Sequence, residues 1–560
     1  MLMAMPLADS ISTTSEGERR SEMDEFDYLI VGAGSAGCVL ASRLSEGGKY
    51  SVALLEAGGS ELNFWVRMPI GYGKTFYHDH LNWKYMTEPE PGINNRQSYW
   101  PRGKVIGGSS SINAMVFIRG QAADFDGWKA LGNAGWGYDD VLPVYRRMEN
   151  NLAGADEWRG RGGPLTVTNI ESVVHPLCKN YIAAGVEVGL THNPDFNGRT
   201  QEGIGIYQIT TRNGFRCSTA TAYLNPARGR QNLKVIKEAR VTRLLFEGKR
   251  AVGAEYRQGG EIKRLKARRE VILSAGAVNS PQILQHSGVG DPDHLKRLGI
   301  EVVHAAPQVG RNLQDHLGFD HLYKSTKPTL NNVLRPWWGR FAVGLQYVLT
   351  RSGPLSLSVN QGGGFIRSNP ERAHPNIQLY FSPVSYTRAQ PGKRALLSPD
   401  VFPGFLVGVS NCHPTSRGWL GIRSNDPFAA PEIHPNYLST DTDVAELVEA
   451  AHFLRRLSKA APLREIIKEE MKPGPDLVSD EELAADIRAR SGSVFHPCGT
   501  CAMGPDPVYS VVDARLRVHG LDGLRVIDAS IFPRITSGNI NAPTIMVAEK
   551  GADLVLADAA

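Results

Sequence analysis

The chain begins without a pattern. Its first 25 residues, MLMAMPLADSISTTSEGERRSEMDE, show neither a helical nor a strand period and read as a disordered extension over residues 1–25. They lack a basic stretch leading into an apolar one, so no secretory signal is expected, and Met23 is a candidate start. The pattern then sharpens. Phe26–Val31 is a short apolar run, "GAGSAG" a turn, "CVLASRL" apolar at helical spacing, and Ser51–Glu56 a second short run. That order predicts strand, turn, helix, strand. Asn232–Leu273 reads as a strand meander with the turn "QGGE". "EVILSAG" is a further strand, and "RVID" is another that ends at Asp528. The irregular stretch "ASIFPRITSGNINAP" leads into helical "TIMVAEKGADLVLAD", with Asn541 and Pro543 as start signals. Trp337–Thr350 reads as a buried helix of a second domain, with a membrane-surface patch as the lesser reading. No run of about 18 apolar residues occurs, so no membrane span is expected.

Composition narrows the class. At 560 residues the chain is too long for one small core, and 59 glycines argue for many tight turns over a helical bundle. Strands alternating with helices predict an α/β fold. The net charge is +5, and the densest basic run, "KRLKARRE", is interleaved with apolar residues as in a strand with a solvated face. No nucleic-acid partner is expected. Six cysteines make no disulfide scaffold, so a reducing, cytoplasmic location is expected, with loose membrane association as an alternative.

Candidate chemistry begins in the first turn. Gly32, Gly34 and Gly37 form G-x-G-x-x-G between strand and helix, and Glu56 closes the second strand. Gly32 permits the tight turn, Gly34 lets the backbone approach a pyrophosphate, and Gly37 lets helix and strand pack closely. The helix N-terminus meets the phosphate charge, so Ser35 and Ala36 join the set. Glu56, with Ala57 beside it, would accept from a ribose hydroxyl, which disfavours NADP and leaves NAD and FAD open.

A second stretch, "GSVFHPCGTCAMG", poses a sharper question. A zinc site would need two more ligands at metal spacing, and no second C-x-x-C or H-x₃-H occurs. A redox dithiol should open a helix after a strand in a small domain. Taken alone, His496 reads as a buried histidine in a turn, and no metal is expected.

Other stretches add context: "GKVIGGSSSINAMVFIRGQAADFD", a glycine- and serine-rich loop leading into a helix, then "GAVNSPQILQHSGVG", "VGRNLQDH" and the tail from Leu524 to Asp553. Together they resemble the boxes of the glucose–methanol–choline (GMC) oxidoreductase family, from about Phe26 to the C-terminus and most weakly between Leu317 and Gly404. The resemblance implies non-covalent FAD, because Ile112 stands where some members tether the flavin through a histidine. It implies flavin contacts at Gly107, Gly108, Ser109, Asn113, Ala114, Met115 and Val116 in the second loop. Val241 would lie near the adenine, with further contacts at Ala275, Gly276, Asp528, Ala529, Asn539 and Ile540. It makes His496 the catalytic base near the flavin N5 and Asn539 its neutral partner, with Asn541 the competing candidate, explained instead as a helix cap, and with the cysteines as packing behind the histidine. The last helix would aim its positive end at the flavin pyrimidine edge.

The implied architecture is a discontinuous Rossmann-like FAD domain, residues 26–163, 214–320 and 496–560. A substrate domain with an antiparallel sheet would comprise 164–213 and 321–495. The implied reaction is oxidation of an alcohol, primary in this reading, to the aldehyde. Hydride goes to the flavin and the proton to an imidazole titrating near the ordinary value of about 6.5. Oxygen or another electron acceptor then reoxidises the flavin. Choline is an alternative substrate, and its cage would draw on Trp65, Tyr72, Phe76, Trp337 or Phe365. Two other classes remain: a flavin-containing lyase without net redox change, and a nucleotide-binding regulator. The oligomeric state is open.

One outcome follows from Ile112. Acid or heat precipitation of the yellow protein should leave free FAD in the supernatant. Flavin that stays with the pellet would show a covalent link.

Overall fold

The computed structural model describes residues 24–387 and 398–560. The extension up to residue 23 lies outside these residues. Glu25, counted above with the extension, is already the first residue of a strand.

Two seven-stranded sheets organise the chain, and the fold is mixed α/β. In the first, Glu25–Val31 lies between Val52–Leu55 and Glu261–Leu273, parallel to both, and Leu233–Ile236 extends the parallel set beyond Val52–Leu55. Leu524–Val526 adds a parallel strand on the other side of the final residues of Glu261–Leu273. The 13-residue strand Glu261–Leu273 serves two masters. Its first half pairs antiparallel with Arg250–Gln258, which pairs with Arg240–Glu247, and its second half belongs to the parallel set. The expected meander is therefore present, and its "QGGE" turn places Gly259 and Gly260 at φ +59° and +90°, the left-handed pair that a two-residue hairpin needs. Val52–Leu55 is buried at every position, as a parallel strand covered on both faces must be.

The second sheet is antiparallel. Its order is Ile467–Lys472, Leu317–Ser325, Gly404–Asn411, Ile377–Ser382, Gly362–Ile366 and Gly203–Ile206, with Gly492–Ser493 also on Leu317–Ser325. The boundary expected at 320/321 runs through Leu317–Ser325, all of which pairs within this sheet, so we place the break before Leu317. Each sheet has its own core. One gathers Leu29, Ile30, Leu54 and Ile272 with Ile545 and Met546 of the last helix, and the other gathers Leu379, Phe381, Phe405 and Val407 with Leu447 and Leu454 of the helix Asp441–Lys459.

Two sequence readings are corrected here. Trp337–Thr350 is a helix, but it is not buried: only Gly339, Val343 and Tyr347 face the protein. The residue count and hydropathy fit a core helix, yet the inward stripe is one narrow i, i+4 row. The last helix runs Asn541–Asp558 with Ile540 as its cap and no side-chain capping bond. Asn541 instead accepts from the Ser35 hydroxyl at 2.8 Å, which ties the glycine turn to the helix start. Arg43 of the helix Gly37–Leu44 adds ion pairs to Glu549 and Asp553, so the first and last helices are locked together.

The glycine turn tolerates no side chain at Gly37, where a Cβ would lie 1.8 Å from the carbonyl oxygen of Gly32. Since that neighbour is backbone, Gly37→Ala should cost about 3 kcal/mol or more and lower the thermal midpoint together with flavin content. Gly229→Ala, where nothing lies within 4 Å, should stay within about 0.5 kcal/mol of the parent.

Candidate active site

A single cleft of about 2560 Å³, counting its open mouth, runs from the C-terminal ends of the parallel strands to the face of the antiparallel sheet. One end holds Gly32, Gly34, Ser35, Ala36, Glu56 and Ala57, with Val241 close by. The middle holds Gly108, Ser109, Asn113, Ala114, Met115 and Val116, facing Ala275, Gly276, Asp528 and Ala529. The far end holds His496, Asn539 and Ile540 against Tyr72, Phe76, Asn360, Tyr380 and Leu406. The sequence-derived contact residues are thus brought to one surface, with two exceptions. Gly37 packs helix on strand, as its spacing implied. Gly107 stands behind the loop at φ +89°, where a Cβ would meet the Ser111 hydroxyl, and does not line the cleft.

The fit to a flavin dinucleotide rests on backbone. A Cβ at Gly108 would lie 2.7 Å from the Cα of Gly34, so the two glycine loops meet back to back and leave a groove that side chains would fill. The helix Gly37–Leu44 has no side-chain cap, which leaves its positive end to the groove. Glu56 is buried, and burial pushes its carboxyl up to about 7, against N–H bonds from Gly58 and Ala33 at 2.8 Å each. Its second job is therefore to hold the glycine turn. Asp528 does the same on the facing side, accepting from Gly276 N–H at 2.8 Å and the Ser280 hydroxyl at 2.6 Å. Ile112 lines the cleft within a small apolar cluster, which suits a non-covalent cofactor.

At the far end the backbone before His496 is forced. Phe495 has φ +71°, rare for an aromatic residue. It is held from both sides: Arg102 donates to its carbonyl at 2.6 Å, and Asp315 accepts the His496 N–H at 2.7 Å. Asp315 also accepts from Ser493 and Tyr437, and burial raises its carboxyl to about 6.

The imidazole itself sits in a chain of hydrogen bonds with only one consistent direction. His316 Nε2 lies 2.9 Å from the Cys412 carbonyl, which can only accept, so Nε2 carries the proton. The bare Nδ1 of neutral His316 then accepts from Nδ1–H of His496 at 3.0 Å. His496 is left with an unprotonated Nε2, 3.1 Å from the amide nitrogen of Asn539. Asn539 is oriented in turn, because Gln378 donates to its carbonyl oxygen at 3.2 Å. Tyr380 fixes Gln378 by donating to its carbonyl oxygen at 2.7 Å. Burial, with help from His316 and Arg102, drives the His496 imidazole well below its ordinary range, and His316 falls to about 4. The expectation of an ordinary value near 6.5 is corrected: this imidazole is neutral across the physiological range.

His316, Asp315, Arg102 and Gln378 were not singled out from sequence. His316 stands in the quoted box "VGRNLQDH", whose histidine was the available signal. Cys498 and Cys501 lie in the first core, buried and unbridged, and burial raises both thiols well above their ordinary range. Of the five aromatic residues considered for a choline cage, Tyr72 and Phe76 line the cleft. Trp65 and Trp337 lie on the surface, and Phe365 is buried against Gly538.

Comparisons with known proteins agree with this build. The N-terminal and C-terminal models described as GMC oxidoreductase match residues 26–318 and 414–548. An alcohol dehydrogenase [acceptor] of Pseudomonas putida is 42% identical over 535 residues, covering 95% of this chain and 96% of that one. A mitochondrial choline dehydrogenase of Mus musculus is 44% identical over 542 residues, covering 95% and 89%. The solved pyridoxine 4-oxidase from Mesorbium loti superposes with a TM-score of 0.84 at 32% identity, covering 94% and 98%. The chain therefore belongs to the GMC oxidoreductase family of FAD-dependent enzymes acting on CH–OH donors.

Proposed function

We propose that the protein oxidises a primary alcohol to the aldehyde, with His496 as the base that takes the hydroxyl proton and Asn539 as the donor to the alcohol oxygen. The observation that carries this is the pairing of a bare imidazole Nε2 with an oriented amide N–H at one end of a dinucleotide cleft. The alcohol dehydrogenase name of the Pseudomonas putida relative supports the same substrate class. FAD, when bound, supplies the hydride acceptor.

The protein's own part is proton handling and positioning. An alcohol hydroxyl placed between the two groups donates to Nε2 of His496 and accepts from Nδ2–H of Asn539. Asn539 stays neutral while negative charge grows on the oxygen, so it stabilises that charge without competing for the proton. When His496 takes the proton its Nδ1–H bond to His316 persists, so the ring does not swing. Because His496 is buried, little water is available to screen these bonds, and each counts for more than it would at the surface. Tyr72, Phe76 and Leu406 offer apolar faces to the body of the substrate.

Anaerobic mixing with a panel of straight-chain primary alcohols, secondary alcohols and choline should bleach the flavin, fastest with a straight-chain primary alcohol. Air admitted afterwards would show whether oxygen restores the colour. A protein that keeps its flavin oxidised with every alcohol would be a lyase or a regulator instead. His496→Ala should slow the reductive step about 10²–10⁴-fold with flavin retained, and Asn539→Ala should cost less. The pH profile gives a separate reading. A histidine value depressed by burial means the base form is already complete at neutral pH, so the reduction rate should be flat from pH 6 to 9 and fall only in more acid solution. A rise centred near 6.5 would show that this imidazole is not the base or not buried as described.

A further inference from the structure

The helix Trp337–Thr350 turns its apolar side outward. Trp337, Trp338, Phe341 and Leu349 are 74, 61, 66 and 72% exposed, and Leu345 and Val348 are about half exposed. A helix resting on a protein in water would show the reverse. The patch continues onto the short helix Phe64–Arg67 and the residues just before it, where Leu62, Phe64 and Trp65 are exposed as well. The link is physical. Phe215 has the Arg67 guanidinium over its ring at 4.9 Å and that of Arg351, the C-terminal cap of the long helix, also at 4.9 Å. Eight of the nineteen large apolar side chains exposed among the described residues lie on these two helices and a ninth, Leu62, lies just before the shorter one, so this is one face and no scatter.

The charge along the helix and its flanking sequence has one sign, although Asp400 shares a small pocket with Arg335 and Pro336 at the helix start. Residues 321–370 contain no Asp or Glu, while Arg335, Arg340 and Arg351 flank or interrupt the helix. None of these arginines, nor Arg67, pairs with a carboxylate among the described residues. We propose that this face docks on an anionic phospholipid surface, with the tryptophans and leucines among the acyl chains and the arginines at the phosphates. A second copy of the same face would set these arginines against one another, which disfavours self-association as the occupant. The preceding helix, Leu330–Leu334, packs Leu330 and Leu334 against Tyr72, Val359 and Tyr386. Those three line the cleft, so a docked enzyme would hold its substrate wall beside the bilayer.

The test uses the flavin-loaded enzyme and two sets of vesicles, phosphatidylcholine alone and phosphatidylcholine with phosphatidylglycerol. The wild type should co-sediment with the anionic vesicles, be released by high salt, and show blue-shifted tryptophan emission when bound. Trp337→Glu combined with Trp338→Glu should bind about tenfold more weakly or worse, with flavin content and thermal midpoint unchanged. Arg335→Gln combined with Arg340→Gln should bind with a shallower salt dependence. Failure of the wild type to bind either vesicle, or equal binding by the double tryptophan variant, overturns the proposal. It is also overturned if the wild type is a dimer that ignores vesicles and the tryptophan variant is a monomer, since a second copy then covers the face.

Discussion

A backbone carbonyl has no proton to give, and the far end of the cleft depends on that fact. The Cys412 carbonyl fixes the proton of His316, His316 fixes that of His496, and the lone pair that results points at Asn539. Three ordinary hydrogen bonds thus choose one tautomer out of two for each ring. The elements that bring the rings together come from the antiparallel sheet. His316 precedes the strand Leu317–Ser325, Cys412 follows Gly404–Asn411, and His496 comes three residues after Gly492–Ser493, which pairs with Leu317 and Gly318. Asn539 arrives from the other side, just before the last helix of the first core. The His496–Asn539 pair is therefore built where the two sheets face each other, and neither layer holds it alone.

The same burial that keeps the His496 ring neutral also acts on the carboxyls of the cleft. Asp315, Glu56 and Asp528 are all carboxyls out of water, and each is raised by that loss of solvent and offset by N–H or O–H donors. They serve as struts: Asp315 for the strained turn at Phe495, and the other two for the glycine turns at Ala33 and Gly276. Strain at Phe495 persists because both neighbouring backbone groups are held by buried side chains.

Much of the first layer was legible in the sequence. The change from no period to strand, glycine turn and helix at Phe26 is a local signal, and the glycines carry their reasons with them. The pairing of His496 with Asn539 was legible only through resemblance, because the spacing around "HPCGTC" does not by itself separate a ligand from a packed histidine. His316 was hidden for another reason. Its partners are 96 and 180 residues away, and no local pattern reports which carbonyl a ring will meet. Hydropathy also misplaced Trp337–Thr350, since an apolar period says how a helix could pack and not whether anything packs against it. The imidazole value was misjudged alike, because burial is a property of the assembled cleft.

The bond between Ser35 and Asn541 joins residues 506 apart. At the usual pace of synthesis, about 5–20 residues per second, the glycine turn waits roughly half a minute to two minutes for the helix that closes on it. Throughout that interval the first parallel strands also lack Leu524–Val526 and the apolar row of the last helix that covers them. A nascent chain of this protein therefore carries its first parallel strands uncovered for longest, so the order of synthesis sets when this layer can close.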